Sequence, residues 1–110
     1  MAVIYRTGGR VVDSATGQGV EGLRIEAWDK DLLFNDPLGN TVTDGQGCFQ
    51  ISYKESDFKD LFGDKSADLF FRVFKDGVFI KSTEDSILWN VENEKTDILI
   101  DVDLKAGMSS

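Results

Sequence analysis

Apolar and polar side chains alternate with a period of two through several short runs of this chain. From Leu23 to Asp29, Leu23, Ile25 and Ala27 fall on one side, and Arg24, Glu26 and Trp28 on the other. Cys48 to Lys54 repeats the pattern with Phe49, Ile51 and Tyr53, and Thr96 to Leu104 repeats it with Ile98, Ile100 and Val102. Successive side chains of an extended strand leave opposite faces, so each run predicts a strand with one face buried. Gly9 to Asp13, Asn40 to Asp44, Asp68 to Lys75 and Val78 to Ser82 bring the expectation to about seven strands.

Turn chemistry separates them. Ser14 to Gly19 is small and polar, Gly45-Gln46-Gly47 precedes Cys48, and Asp76-Gly77 is the strongest hairpin signal in the chain. Lys30 to Gly39 reads as a loop. Thr83 to Glu94 reads as irregular and anchored by Trp89. One segment follows the helical period instead: in Glu55 to Phe62, Phe58, Leu61 and Phe62 share a side, Ser56 or Asp57 can cap the start and Gly63 the end. Short strands at this spacing predict an all-β fold, an antiparallel β-sandwich with one short helix. The expected domain is single, spanning residues 1–110 with its core over 9–104.

Composition narrows the function classes. Twelve basic against twenty acidic residues leave a net charge of −8, spread along the chain. Nucleic acid and anionic membrane are both repelled by such a surface, so neither is an expected partner. There is no His in the sequence. The commonest general base and metal ligand is therefore missing, and triads or His-ligated metal centres cannot be self-contained here. Cys48 is the sole cysteine, which excludes an internal disulfide; between Gly47 and Phe49 it reads as a small, half-buried filler. Met1 to Arg6 has no long apolar run, so a signal peptide or anchor is not expected in this segment.

Two groups of residues are candidates for chemistry. Asp29, Asp31 and Asp36 stand in or beside one loop with Asn35, and Asp44 enters the next turn. Calcium takes six to eight hard oxygens, so these four Asp residues are the candidate metal ligands, with Ca²⁺ the implied ion. The competing reading is that they cap turns and pair with cations such as Lys30. The second group comes from the hairpin. A two-residue turn at Asp76-Gly77 sets Phe74 opposite Phe79 and Arg72 opposite Lys81, placing Phe70, Arg72, Phe74, Phe79 and Lys81 on one outward face. Aromatics and Arg are the types enriched at binding hot spots. Trp28, facing away from Ile25 and Ala27, joins this set as a platform or as packing.

Gly9-Arg10-Val11-Val12-Asp13, Gly22 to Asp29 and Thr43-Asp44-Gly45-Gln46-Gly47-Cys48-Phe49 together resemble the transthyretin-like, or carboxypeptidase-regulatory-like, β-sandwich, over residues 9 to 104. The resemblance implies a non-catalytic accessory module of a larger secreted, surface or toxin-like assembly, which would be extracellular; the residues themselves leave an intracellular setting equally open. Two enzyme groups of this shape do not fit. Hydroxyisourate hydrolases use His and a terminal Tyr-Arg-Gly-Ser, and intradiol dioxygenases hold iron with two Tyr and two His. Here Tyr5 and Tyr53 occur without His. The expected role is thus protein–protein contact without a cofactor, with a neighbouring domain, a subunit or a second copy as partner. The alternative is a Ca²⁺-stabilised carbohydrate- or surface-binding module using residues 29–44 and Trp28.

Overall fold

The computed structural model describes residues 4–31, 34–54 and 67–104. They form eight strands: β1 Ile4–Asp13, β2 Arg24–Asp29, β3 Asp36–Val42, β4 Cys48–Lys54, β5 Ala67–Lys75, β6 Val78–Ser82, β7 Leu88–Val91 and β8 Glu94–Val102. A 3₁₀ turn at Glu84–Ser86 joins β6 to β7. The helix expected over Glu55 to Phe62 lies outside the described residues.

Two sheets face each other in an all-β sandwich. One has the order β4-β1-β8; the other runs β3-β2-β5-β6, with β7 also paired to β5. The alternating runs supply the shared interior. Ile25 and Ala27 of β2, Leu69, Phe71 and Val73 of β5, Phe49, Ile51 and Tyr53 of β4, and Ile100 and Val102 of β8 are all buried. Phe49 meets Phe71 across the sheets edge to face, with centroids 5.7 Å apart. Each such buried ring removes some 150–250 Å² from water, so these two dominate the middle of the core.

Five features depart from the pattern. The pair β1–β8 is parallel, inside an otherwise antiparallel arrangement. Its strands are remote in sequence, so no tight turn forces them to run oppositely. Strand β1 begins at Ile4, five residues before Gly9. Strand β3 begins at Asp36 and takes in Pro37, within the expected loop; it lies at a sheet edge, where a missing N–H is tolerated. Strand β7 falls inside the segment expected to be irregular. Leu88 and Val91 register with Leu69 and Ala67, while Trp89 between them is 63% exposed and anchors nothing. Cys48 is exposed, not half-buried.

Polar contacts hold the strand ends. Thr43 is buried; its hydroxyl donates to the Val20 carbonyl at 2.6 Å and accepts from the Leu23 N–H at 2.9 Å. Asp44 Oδ1 accepts the N–H groups of Gln46 and Cys48, each at 2.9 Å, closing the turn into β4.

Candidate functional site

The outer face of the β3-β2-β5-β6 sheet gathers the side chains with chemistry to offer. Strand register lays them in rows. Val42, Arg24, Phe74 and Phe79 stand side by side; Asn40, Glu26, Arg72 and Ser82 form the next row; Pro37, Trp28 and Phe70 form the third. Ile25, Ala27, Val73 and Phe71 occupy the buried side of the same strands, which is why the alternate residues emerge here.

Glu26 ties the first rows together. Its Oε1 accepts the Trp28 indole N–H at 3.1 Å, and its Oε2 accepts Arg24 Nε at 3.3 Å and Nη2 at 3.1 Å. Trp28 in turn lies beside Phe70, with rings 6.4 Å apart and 17° from parallel. The Arg72 guanidinium sits 4.6 Å from the Trp28 ring centroid and 5.5 Å from that of Phe70. A cation over a ring face is attracted by the ring quadrupole, and Arg is well suited to it. Beyond this stack, Lys30 Nζ donates to Glu84 Oε2 at 2.6 Å. That hydrogen bond, helped by the charges of Lys30 and Arg72, holds the Glu84 carboxyl below its ordinary range.

The expected interaction set is therefore divided. Trp28, Phe70 and Arg72 form one packed stack, in which Phe70 is fully buried rather than outward and open. Phe74 and Phe79 pair edge to face at 5.7 Å, and Phe79 stays 53% exposed, as Val42 does at 60% at the other end of the row. Lys81 leaves the group. A bulge after Phe79 sets Lys81 opposite Val73 instead of Arg72. It borders a groove of about 230 Å³ between β6 and β8, with Asp85, Leu99 and Asp101. A bulge adds one residue to one strand and re-aims everything past it, and nothing in the local residue pattern announced this one. Arg24 and Glu26 were expected on the side of Trp28 but were not named among the interacting residues. Their spacing of two from Trp28 was the available signal.

The expected metal ligands are divided too. Asp29 faces Asp36 across β2 and β3, and Asp31 follows within two residues. Asp44 lies past the opposite end of β3, roughly 25 Å along an extended chain at ~3.3 Å per residue. Asp29 is only 7% exposed, and its Oδ1 accepts the Asp68 N–H at 2.8 Å. Burial pushes its carboxyl up to about 6, with the charges of Asp68, Asp36 and Asp31 adding to the shift. Among the described residues no three His, Cys, Asp or Glu come together in a way that could hold a metal ion. Asp44 serves the turn, as the competing reading had it.

Two hollows bordered by described residues are small. The bulge at Leu38 leaves about 100 Å³ bordered by Arg24, Glu26, Trp28, Pro37 and Asn40. This space and the β6–β8 groove both fall below the ~300 Å³ at which small-molecule pockets begin. Arg72 also lies over the Trp28 ring, the surface on which a sugar would have to stack.

No family model matches the chain, and no curated protein matches it. Solved structures do resemble it. A 9R-lipoxygenase from Cyanothece PCC8801 matches with TM-score 0.64 and 25% identity, over 90% of this chain and 16% of the lipoxygenase. A hydroxyquinol 1,2-dioxygenase from Pseudomonas putida DLL-E4 matches with TM-score 0.51 and 15% identity, over 94% of this chain and 57% of the dioxygenase. The chain thus spans about a sixth and rather more than half of these two proteins. The second likeness is one of fold.

Proposed function

We propose that this chain is a non-catalytic binding module that docks another protein against the outer face of its β3-β2-β5-β6 sheet. The observation that carries the reading is the pairing, on one face, of a stiff packed stack with open apolar area. Trp28, Phe70 and Arg72 are fixed by each other and by Glu26, while Phe79 stays more than half exposed on β6 beside Phe74, and Val42 does so at the opposite edge of the same sheet. Aromatic and Arg side chains held in one geometry before binding lose little entropy on docking, which is how a small patch gains affinity. The share of the lipoxygenase that resembles this chain supports an accessory role, since there the matched fold is a minor part of a larger protein. The transthyretin-like reading of residues 9 to 104 belongs to the same proposal, as does the larger assembly it implies.

Oxygenase chemistry is not carried over. The chain has no His, and its tyrosines Tyr5 and Tyr53 are buried and stacked on each other at 5.4 Å.

The test is capture from an extract of the source organism, using wild type, Phe79→Ser, and Leu99→Ser on the other sheet. A protein retained by wild type and by Leu99→Ser, but lost with Phe79→Ser, is the expected result. Equal retention by all three removes the outer face from the account. Light scattering on the pure chain tells whether a second copy is the partner, through a mass of twice 12.2 kDa.

A further inference from the structure

We infer that Arg72 is the point at which the docked protein is recognised, and that it takes a side-chain carboxylate, an Asp or Glu, of that partner. The inference rests on the docking reading above and names the chemistry of its occupant.

Among the described residues, three cations stand along this face. Two are engaged within the chain: Arg24 gives Nε and Nη2 to Glu26, and Lys30 gives Nζ to Glu84. Arg72 differs. It is half-buried, lies over the Trp28 and Phe70 rings, and makes no ion pair within 4 Å among the described residues. The acids nearest to it among the described residues are already taken. Glu26, its cross-strand neighbour, has both oxygens occupied by Trp28 and Arg24. Glu84 feels the Arg72 charge but accepts Lys30. On the strands beside it, Asn40 and Ser82 offer no charge. A guanidinium carries five N–H donors in a planar fork that matches a carboxylate with two parallel hydrogen bonds. Here that fork is braced by aromatic rings and, among the described residues, has no carboxylate of its own.

The surroundings select the occupant. Phe74 lies two residues along β5 from Arg72, and Phe79 pairs with it across β6. A carboxylate arriving on Arg72 would therefore bring an apolar neighbour onto Phe79. Lys or Arg in that place would meet a like charge. A free inorganic anion would satisfy the guanidinium but leave Phe79 uncovered. Charge complementarity and the adjacent apolar area together point to an acidic residue next to an apolar one on a protein surface.

The probe is a capped tripeptide, acetyl-Phe-Gly-Glu-amide, with its Gln counterpart as the uncharged isostere, titrated into the full chain. The readouts are the NMR signals of the Trp28 indole N–H and the Arg72 Nε–H. The Glu peptide should shift both and bind about tenfold more tightly than the Gln peptide, the usual margin of a charged over a neutral hydrogen bond. Arg72→Gln should erase that preference, and Arg72→Lys should keep part of it, because a point charge cannot reproduce the fork. Melting curves check that both variants fold. If Arg72→Gln does not fold, Arg72→Lys alone decides, since an undiminished preference in it overturns the inference. Equal binding of the two peptides overturns carboxylate recognition while leaving docking on this face in place. Binding of neither peptide overturns the inference as well, and the docking reading then stands or falls on Phe79→Ser.

Discussion

Asp29 is buried at the end of β2, and its nearest charged neighbours are Asp68, Asp36 and Asp31. Burial comes first among the causes that push its carboxyl from 3.8 to about 6, and the neighbouring charges act in the same direction. A carboxyl whose folded value lies above its unfolded one favours the fold when protonated. Its contribution is complete below about pH 4 and is lost as pH rises through about 6. Above that the fold carries an ionised Asp29 at a cost on the order of 2–3 kcal/mol, from ~1.4 kcal/mol per unit. Asp29→Asn keeps an oxygen for the Asp68 N–H and cannot ionise. The stability difference between variant and wild type, read from urea midpoints, should grow in the variant's favour from pH 4 to pH 7 and then level off. A difference independent of pH would mean that Asp29 is ionised and stabilised in place. Thr7 gives a second reading at this scale. Its hydroxyl is fully buried without a hydrogen-bond partner among the described residues. A buried polar atom left unmatched costs roughly 1–3 kcal/mol. Thr7→Val should therefore leave the melting temperature unchanged or raise it, where a buried hydroxyl with a partner would give a fall.

Among the elements, the β5–β6 hairpin shows what local sequence does and does not determine. Asp76 and Gly77 both have positive φ, 50° and 81°, the conformation that an Asp-Gly turn was expected to supply. Gly77→Ala should cost about 1 kcal/mol in chemical denaturation, because a Cβ is disfavoured there although no neighbour stands in its way. Gly9 is the opposite case. A Cβ at Gly9 would stand 1.8 Å from the Ile98 carbonyl oxygen, so Gly9→Ala must part β1 from β8. It should cost about 2 kcal/mol or more, and hydrogen exchange should show the loss first in β8. The long alternating strands β2, β4 and β5 were legible because one buried face imposes the period of two. Strand β7 was not, since it has four residues and Asn90 within it takes a positive φ of 56°. The bulges at Leu38 and after Phe79 were equally invisible. The bulge in β6 decided that Lys81 left the aromatic face, whereas Trp28 stayed on it because β2 alternates without interruption.

Across the whole molecule, the four acids expected to act as one metal site are split: Asp29, Asp31 and Asp36 stay together at one end of β3, and Asp44, near them in sequence, is remote in space. Short spacing along a chain becomes short distance only where the backbone turns back, and β3 instead runs extended from Asp36 toward Asp44. Asp44 is left to cap its own turn, and Asp29 points inward to the Asp68 N–H. Calcium would need six or more oxygens, and the described residues bring no three carboxylates together. A ligand that binds only the folded state must raise the melting temperature as its concentration passes the dissociation constant. Melting in millimolar Ca²⁺ and in EDTA at equal ionic strength should thus agree to within about 1 °C, since ~1 kcal/mol of binding would move a domain of this size by roughly 4–8 °C. Equal ionic strength matters because the net charge is −8. Self-repulsion is relieved by any added salt, so sodium chloride should raise the melting temperature by itself. A rise of several degrees specific to Ca²⁺, absent with sodium chloride or Mg²⁺ at the same ionic strength, would return Asp29, Asp31 and Asp36 to the role of ligands. It would also require Asp29 to be ionised at neutral pH, so the same sample should then lose the pH dependence predicted for that carboxyl. The two measurements bind each other: an ionised, metal-held Asp29 and a protonated, buried one cannot both describe this end of the sandwich.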